Sequence, residues 1–515
     1  MKVTQALRQG RRGDLVVALA GAAMPLAFAP FDLAWLAVFC LAVLFLGWQA
    51  QTTRRAAWRG YLFGLGMFGV GTSWVIVSIH EFGHTPLWLA IFLTVLFVTI
   101  LALYPALLGA LVVRGKLLAT LPGMLLGLPA GWVLVEWLRG WLFTGFPWLS
   151  LGYTQTDSLL AGYAPLLGSY AISLAIAVLA ASLVVFVSER SRAARLTALA
   201  AAAVVLLGAS LAQLPQFVSP LGQPLEVALL QGNVAQDEKW QPGMREVILD
   251  RYRDMTDAVL GTPLIIWPET AVPDFYHNVF YDYLDDITRR AREAGSDLLI
   301  GVPILEYNEM QPTYYNSMVS LGGEFAVYHK RHLVPFGEYV PLGNVLRLIG
   351  GVFNLPMSDF SSGDRGQTRL PGAGLQLGVT ICYEDAFGNE TAAALPQASV
   401  LVNVSNDAWF GNSLAPHQHL QMARMRTIET GRPMLRSTNT GISALIDHAG
   451  QLTARSPQFA IHTLRGEVQP MQGSTPYVRY TDWPLISLTL VLFALAALFG
   501  KRTNRRAGTR PGDSA

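Results

Sequence analysis

A series of long apolar runs constrains the fold of this sequence more than any other feature. A helix needs roughly 20 apolar residues to cross the hydrocarbon core of a bilayer. A buried core helix or a re-entrant segment would explain one such run, but not the whole set. We therefore predict a membrane α-helical bundle of about eight spans. The candidate spans lie at 14–30, 32–50, 59–79, 86–112, 121–144, 162–188, 194–213 and 483–500.

Basic residues fall in alternate loops between these runs, and loops rich in Lys and Arg stay in the cytoplasm. This pattern predicts that both termini are cytoplasmic and that the region after the seventh span lies outside. In a bacterium, the chain would be a multi-pass inner (cytoplasmic) membrane protein with a periplasmic domain. The net charge of +2 gives no reason to expect a nucleic-acid partner. The basic residues are Lys2, Arg8, Arg11, Arg12, Arg54, Arg55, Arg59, Arg114, Lys116, Arg190, Arg192, Arg195, Lys501, Arg502, Arg505, Arg506 and Arg510.

Hydropathy also divides the chain into domains. We predict a seven-span transmembrane domain at 1–215, a water-soluble domain at 220–475, a closing span at 483–500 and a cytoplasmic tail at 501–515. The soluble part alternates short runs of strand type with longer amphipathic stretches, which predicts an α/β fold with helices packed on sheets. The predicted strands are 225–231, 263–268, 297–302, 375–381 and 400–405, and the predicted helices are 242–260, 279–294 and 413–431.

Two candidate reacting groups follow predicted strands. Cys382 stands between a strand and a plausible helix start, where backbone N–H groups would favour a thiolate nucleophile. The alternative is a small buried apolar residue, the usual role of a free cysteine. Glu269 follows Trp267 and Pro268, where partial burial would suit a general base. The alternative is a carboxylate at the start of a helix.

A third candidate lies in a basic segment. The ammonium group of Lys330 could stabilise an oxyanion, and Glu338 could orient it. The alternative for Lys330, which precedes Arg331 and His332, is a solvated basic loop.

Taken together, these segments resemble the nitrilase, or carbon–nitrogen hydrolase, superfamily. Its three motifs centre on a Glu, on a Lys followed by His-Leu, and on a Cys followed by Tyr-Glu. They stand here, in that order, at 267–270, 330–333 and 382–384. With the membrane part included, nearly the whole chain resembles the apolipoprotein N-acyltransferase family. The supporting stretches are 136–139, 146–153, 231–240, 335–341 and 403–411.

The resemblance implies an αββα sandwich and a two-step acyl transfer. A phospholipid would give its acyl chain to Cys382 as a thioester. The α-amine of an apolipoprotein's N-terminal diacylglyceryl-cysteine would then take it. Glu269 would accept protons and Lys330 would stabilise the oxyanion, with Glu338, Glu384 and Tyr383 supporting them. The resemblance implies neither cofactor nor metal, and we expect a monomer.

Less specific signals remain open. Trp240, Phe336, Tyr339 and Trp409 are candidates for contacts with acyl chains, and the alternative for each is core packing. A segment at 337–365 could form a lid over the site.

Two further groups of polar residues could bind a metal or carry a buried charge. His417 and His419, near Asp407, could suggest a metal site, but residues two apart do not share a helix face. Glu136 and Arg139 are charged residues inside a predicted span, where they could serve either function or a structural ion pair.

Two other functions fit parts of the sequence. A membrane-tethered nitrilase-type amidase would use the same three residues with water as acceptor, although one span would then be enough as a tether. A transporter or lipid-binding scaffold with an inactive domain would not need all of Glu269, Lys330 and Cys382.

Overall fold

The computed structural model describes residues 10–308, 311–339 and 360–507. The chain forms two compact units. A helical unit contains 1–76, 86–215 and 480–515, and a second unit contains 77–85 and 216–479. The short segment 77–85 therefore belongs to the second unit, although the sequence pattern places it at the end of the third span and in the loop after it. Much of the predicted tail at 501–515 lies outside the described residues.

Long apolar helices make up the helical unit. In the described part of the chain, four are long and apolar enough to cross a membrane: Leu87–Arg114, Ser169–Ser188, Arg192–Ala212 and Trp483–Gly500. A fifth span results if Thr53–Gly71 and Val75–Phe82, which are bent by 61° at their junction, count as one. The other helices of this unit are Gly10–Ala23, Leu36–Trp48, Leu128–Trp141 and Ala164–Leu167.

Three predicted spans are shorter or more irregular than their apolar runs. The helix in the first run ends at Ala23, where Met24–Ala27 forms a 3₁₀ turn with a proline in its first positions. Proline cannot donate a backbone hydrogen bond, so it favours a break there. The helix in the second run has only 13 residues. In the fifth run, the π turn Gly123–Gly127 precedes Leu128–Trp141. The predicted count of about eight spans is therefore not confirmed.

The two charged residues of the fifth run are buried and hold the loop that follows their helix. Arg139 donates to the carbonyl oxygens of Phe146 (2.6 Å) and Trp148. One carboxylate oxygen of Glu136 accepts from Trp132 Nε1 (2.9 Å) and from the backbone N–H of Leu151 (3.0 Å). Because a buried carbonyl or N–H needs a partner, these contacts give both charges a structural role.

The second unit contains two six-stranded sheets among its described residues. The strands are β1 Val218–Pro220, β2 Leu225–Gln231, β3 Leu264–Ile266, β4 Asp297–Asn308, β5 Gln311–Leu321, β6 Ala326–His329, β7 Arg369–Gly372, β8 Leu375–Ile381, β9 Val400–Ser405, β10 Met434–Thr438, β11 Ala444–Ile446, β12 Leu452–Arg455, β13 His462–Val468 and β14 Met471–Gly473. One large sheet has the order β13-β2-β3-β4-β5-β6 and the other β12-β11-β10-β9-β8-β7. A small third sheet pairs β1 with β14.

The two large sheets pack face to face. Apolar side chains of β2, β3 and β4 meet those of β8, β9 and β10 in one buried core. Helices Met244–Asp257 and Asp285–Glu293 cover the outer face of the first sheet, and helix Ala415–Thr430 covers the second. The predicted αββα sandwich is thus confirmed in the described residues. Shorter helices are Tyr276–Val279, Gly388–Ala392 and Pro476–Tyr480.

Candidate active site

The three predicted reacting residues each stand just after a strand. Glu269 follows β3, Lys330 follows β6 and Cys382 follows β8. A strand end lets a side chain leave the sheet while the backbone behind it stays fixed. The structure brings the three together: the charges of Glu269 and Lys330 both act on the Cys382 thiol.

Cys382 occupies a sharp turn. Strand β8 passes directly into the 3₁₀ turn Cys382–Ala386, and the backbone of Cys382 has a φ of 52°. A positive φ is unfavourable for a residue with a side chain and is often found where function requires it. Burial raises the pKa of the thiol, and Glu269 raises it further, while Lys330 opposes both. The sulfur therefore carries its proton at neutral pH, and its reaction needs a base.

Glu269 is the candidate for that base, because among the charged groups it has the largest effect on the pKa of the Cys382 thiol. Its side chain is buried, and each carboxylate oxygen accepts a hydrogen bond. The amide of Asn316 donates to Oε1 at 2.7 Å, and the backbone N–H of Asn406 donates to Oε2 at 2.7 Å. These two donors, one within β5 and one directly after β9, orient the carboxylate. The helix-start alternative is wrong, because the residues after Glu269 form turns rather than a helix.

Lys330 is buried between two carboxylates. Its Nζ lies 2.9 Å from Glu338 and 3.5 Å from Glu269. Burial alone would lower its pKa, but Glu338 and Glu269 outweigh this effect and raise the pKa. Lys330 is therefore a permanent cation, and the solvated-loop alternative is wrong.

Asn316, on β5, joins the two carboxylates. Its side-chain Nδ2 donates to Glu269 at 2.7 Å and to Glu338 at 3.0 Å, and its backbone carbonyl oxygen accepts from the backbone N–H of Lys330 at 2.8 Å. One side chain thus fixes the relative positions of the base and the cation. The sequence pattern does not predict this residue, because the short polar segment around it contains no motif that would reveal it.

Glu384 connects the segment after Lys330 to the turn that begins at Cys382. Its carboxylate accepts from the backbone N–H groups of Arg331 (2.6 Å) and Ile381 (2.6 Å) and from the hydroxyl of Tyr328 (2.8 Å). It is fully buried, and burial raises its pKa. Tyr383 packs edge-on against the rings of His332 and Phe387, at 5.8 and 5.1 Å. Both residues shape the turn around Cys382.

The four aromatic candidates occupy different environments. Trp240 is 44% exposed and Phe336 is 51% exposed, so neither is a core residue. Tyr339 is half-buried. The carbonyl oxygen of Trp409 accepts from Ser78 Oγ at 2.7 Å, and its ring meets Phe82. Most of the predicted lid, at 340–359, lies outside the described residues.

The residues considered for a metal form a buried ion network. His419 Nε2 lies 2.7 Å from Asp385, and its Nδ1 lies 3.3 Å from Asp407. Arg436 also contacts both carboxylates, at 2.9 and 3.2 Å. The described residues contain no group of three or more His, Cys, Asp or Glu side chains arranged to hold a metal ion. This network joins the turn after β8, which begins at Cys382, to the turn after β9. It therefore stabilises the backbone of the turn that carries Cys382.

Two family models match the chain. One describes the N-terminal domain of apolipoprotein N-acyltransferase and matches residues 20–182. The other describes carbon–nitrogen hydrolases and matches residues 226–477. Together they cover most of both units.

Curated relatives match over almost the full length. The apolipoprotein N-acyltransferase of Methylococcus capsulatus is 47% identical over 97% of this chain and 98% of its own. That of Azotobacter vinelandii is 44% identical over 98% of each. Among solved structures, an amidase from Nesterenkonia sp. is 16% identical with a TM-score of 0.34, covering 52% of this chain and 97% of its own.

Proposed function

Because the chain belongs to the apolipoprotein N-acyltransferase family, we propose that Glu269, Lys330 and Cys382 are the residues that perform the transfer. The enzyme moves a fatty acyl chain from a phospholipid to an apolipoprotein and so completes lipoprotein maturation. The observation that supports our assignment best is the pair of buried contacts that connect Lys330 to Glu269 and Glu338 beside the Cys382 turn.

In the first step, Glu269 takes the thiol proton and the sulfur of Cys382 attacks the ester carbonyl of the donor. The Lys330 ammonium stabilises the oxyanion of the tetrahedral intermediate. Collapse breaks the carbon–oxygen bond, and Glu269 returns the proton to the departing lysophospholipid oxygen. A protonated resting thiol suits this sequence, because the proton stays in the site until a donor arrives.

In the second step, the α-amine of the diacylglyceryl-cysteine attacks the thioester carbonyl. Glu269 accepts a proton from the amine, Lys330 again stabilises the oxyanion, and the carbon–sulfur bond breaks. Glu269 then gives this proton to the departing Cys382 thiolate, which restores the thiol. A thioester reacts readily with an amine, and the amide product is stable, so the second step is favourable.

A membrane setting fits both substrates, which carry acyl chains. A water-soluble enzyme would have to extract them at a cost of about 0.8 kcal/mol per CH₂ group. Members of this family are bacterial inner-membrane proteins, and the apolar helices are consistent with that location. We further propose seven spans in the domain 1–215, a periplasmic catalytic domain at 220–475, an eighth span at 483–500 and a cytoplasmic tail at 501–515. Both termini would then be cytoplasmic, and we propose that the protein is a monomer.

The test is the intact mass of the detergent-purified full chain after incubation with phospholipid. The wild type should gain one fatty-acyl mass, which neutral hydroxylamine should remove. Cys382→Ala should gain nothing. Absence of the gain in a folded wild type would contradict the phospholipid donor and favour the tethered amidase.

The acceptor is tested by adding a synthetic diacylglyceryl-cysteine peptide to the acyl-enzyme. The enzyme should lose the acyl mass as the peptide gains it. If the fatty acid is released to water at the same rate with and without the peptide, the amidase alternative is correct.

A further inference from the structure

A row of buried polar side chains crosses the second sheet, on the face that helix Ala415–Thr430 covers. Thr380 on β8, Asn403 on β9 and Arg436 on β10 are paired directly in the parallel register of these three strands. Residues in register place their side chains on the same face of a sheet. An apolar residue would fill the middle position without the cost of burying an amide, so packing alone does not explain Asn403.

Arg436 determines which way the amide of Asn403 faces. The Nη1 of Arg436 donates to Asn403 Oδ1 at 2.5 Å and to Asp385 at 2.9 Å. A guanidinium group only donates hydrogen bonds, so the oxygen of the amide must face it. The Nδ2 of Asn403 therefore points the other way along the row and brings two N–H groups towards β8.

These two N–H groups reach the turn that begins at Cys382. Asn403 Nδ2 lies 3.0 Å from Thr380 Oγ1 and 3.3 Å from the backbone carbonyl oxygen of Cys382. The first hydrogen bond joins β9 to β8, and the second holds the peptide group that follows Cys382. One amide thus connects a buried cation to the residue proposed as the nucleophile.

Cys382 needs such a partner because of its backbone conformation. Its φ of 52° is unfavourable, and a conformation of this kind persists only where the surrounding contacts hold it. Glu384 accepts from the N–H of Ile381, before the turn, and Asn403 donates to the carbonyl group of Cys382 itself. Because φ is a rotation about the N–Cα bond, a change in φ would move both this carbonyl group and the sulfur relative to β8.

We propose that Asn403 is a positioning residue that acts through Cys382: its amide, oriented by Arg436, holds the Cys382 carbonyl so that the backbone keeps its positive φ and the sulfur stays beside Glu269. The inference rests on the proposed role of Cys382 as the nucleophile. Without the amide, the turn relaxes and the sulfur leaves the position in which Glu269 can take its proton.

The first test compares Asn403→Leu, which fills nearly the same volume without a donor, with Thr380→Val. The Thr380→Val variant removes the other acceptor of the same amide, so it weakens the same row but keeps the contact with Cys382. The rate of thioester formation on the full chain is measured with dioleoyl phosphatidylethanolamine in detergent micelles. At saturating donor, we expect this rate to fall about 10- to 100-fold in Asn403→Leu and to change little in Thr380→Val, with the half-saturating donor concentration unchanged in both.

A second readout needs neither donor nor activity. Glycine adopts a positive φ freely and alanine does not, so Cys382→Gly should melt at a higher temperature than Cys382→Ala while Asn403 holds the turn. In the Asn403→Leu background the turn can relax, and the two variants should melt at the same temperature. In the Thr380→Val background the difference should persist. A purely structural role for Asn403 would lower both melting temperatures equally and leave their difference unchanged.

Equal rates in Asn403→Leu and Thr380→Val overturn the proposal. A glycine–alanine difference that survives in Asn403→Leu, or that is absent when Asn403 is in place, also overturns it. A wild type that forms no thioester contradicts the proposed function instead, and the melting comparison then decides this inference alone. If Asn403→Leu does not fold, Asn403→Ala is judged by the same criteria.

Discussion

The ammonium nitrogen of Lys330 lies 2.9 Å from the carboxylate of Glu338, eight residues further along the chain. Glu338 also accepts from the backbone N–H of Val334 at 2.8 Å, so it fixes the loop as well as the charge. Glu269, at 3.5 Å, is the weaker partner of Lys330 and stays available for proton transfer. Lys330 is thus paired mainly with Glu338, and this pairing leaves Glu269 available to act as the base.

Replacing Glu338 with Gln should slow thioester formation about 100-fold, as expected when charge stabilisation of a transition state is lost. Glu338 makes the largest contribution to the raised pKa of Lys330, so the variant should also lose activity at alkaline pH where the wild type does not. Acyl-enzyme formation measured by intact mass across pH 6–10 tests this. Glu306→Gln, a half-exposed glutamate on β4, is the matched control. Equal rates in Glu338→Gln and the control would contradict the assignment.

Asn316→Leu tests whether the hydrogen bonds of Asn316 hold Glu269 in place as the base. The variant removes one donor from Glu269 and one from Glu338, and leaves both buried carboxylates less well paired. We expect thioester formation to fall 10- to 100-fold and the free energy of unfolding to fall by about 1–3 kcal/mol. Single-turnover mass measurements and chemical denaturation check the two effects. Asn278→Ala, at an exposed position, should change neither rate nor stability appreciably. A wild-type rate in Asn316→Leu would show that the bridge is dispensable.

Much of the sandwich could be predicted from the sequence because its central strands are short apolar runs with clear ends. The predicted bounds of β2, β8 and β9 agree with the structure. The residues at the C-terminal ends of these strands lead into or towards the site. Cys382 could be recognised because it directly follows the end of β8. Strand β4 is longer than predicted, because its second half, Pro303–Asn308, pairs with β5 in a hairpin that apolar patterning does not reveal.

Residues that act only through tertiary contacts could not be predicted. Asn316 lies 47 residues after the glutamate that it orients, and nothing local distinguishes it. Asn406, 137 residues after the same glutamate, lies in the supporting stretch 403–411, but that stretch does not indicate a contact with Glu269. Lys239 is buried, although the exposed acidic residues directly before it give it the sequence context of a surface lysine. The irregular spans were missed for another reason: mean hydropathy does not register where a helix bends, as at the 61° break after Gly71.

The positive φ of Cys382 gives a prediction about stability rather than activity. Cys382→Ala and Cys382→Gly should both be inactive. Alanine keeps the unfavourable backbone conformation at φ 52°, whereas glycine adopts it freely. We expect Cys382→Gly to be more stable than Cys382→Ala by about 0.5–1 kcal/mol. Thermal unfolding of the two variants in the same detergent decides this. A more stable alanine variant would show that the backbone at position 382 is not strained.

His419 makes the stability of the catalytic unit dependent on pH. Burial and Arg436 lower its pKa, but Asp385 and Asp407 outweigh them and raise it above the usual value of 6.5. A histidine with a raised pKa in the folded state contributes stability that is fully present below pH 6.5 and is lost as the pH rises through the raised pKa. The other charged groups that face it are Arg436, Asp385 and Asp407.

The melting temperature of the wild type should therefore fall from pH 6.5 towards alkaline pH, and His419→Gln should lack this part of the decrease. His448→Gln, on an exposed turn, should keep the wild-type dependence. Because the network supports the turn of Cys382, the loss of charge should also slow alkylation of the thiol by iodoacetamide over the same pH range, after correction for the thiol's own ionisation. A parallel pH dependence of melting in the wild type and His419→Gln would show that the imidazole does not titrate in this network.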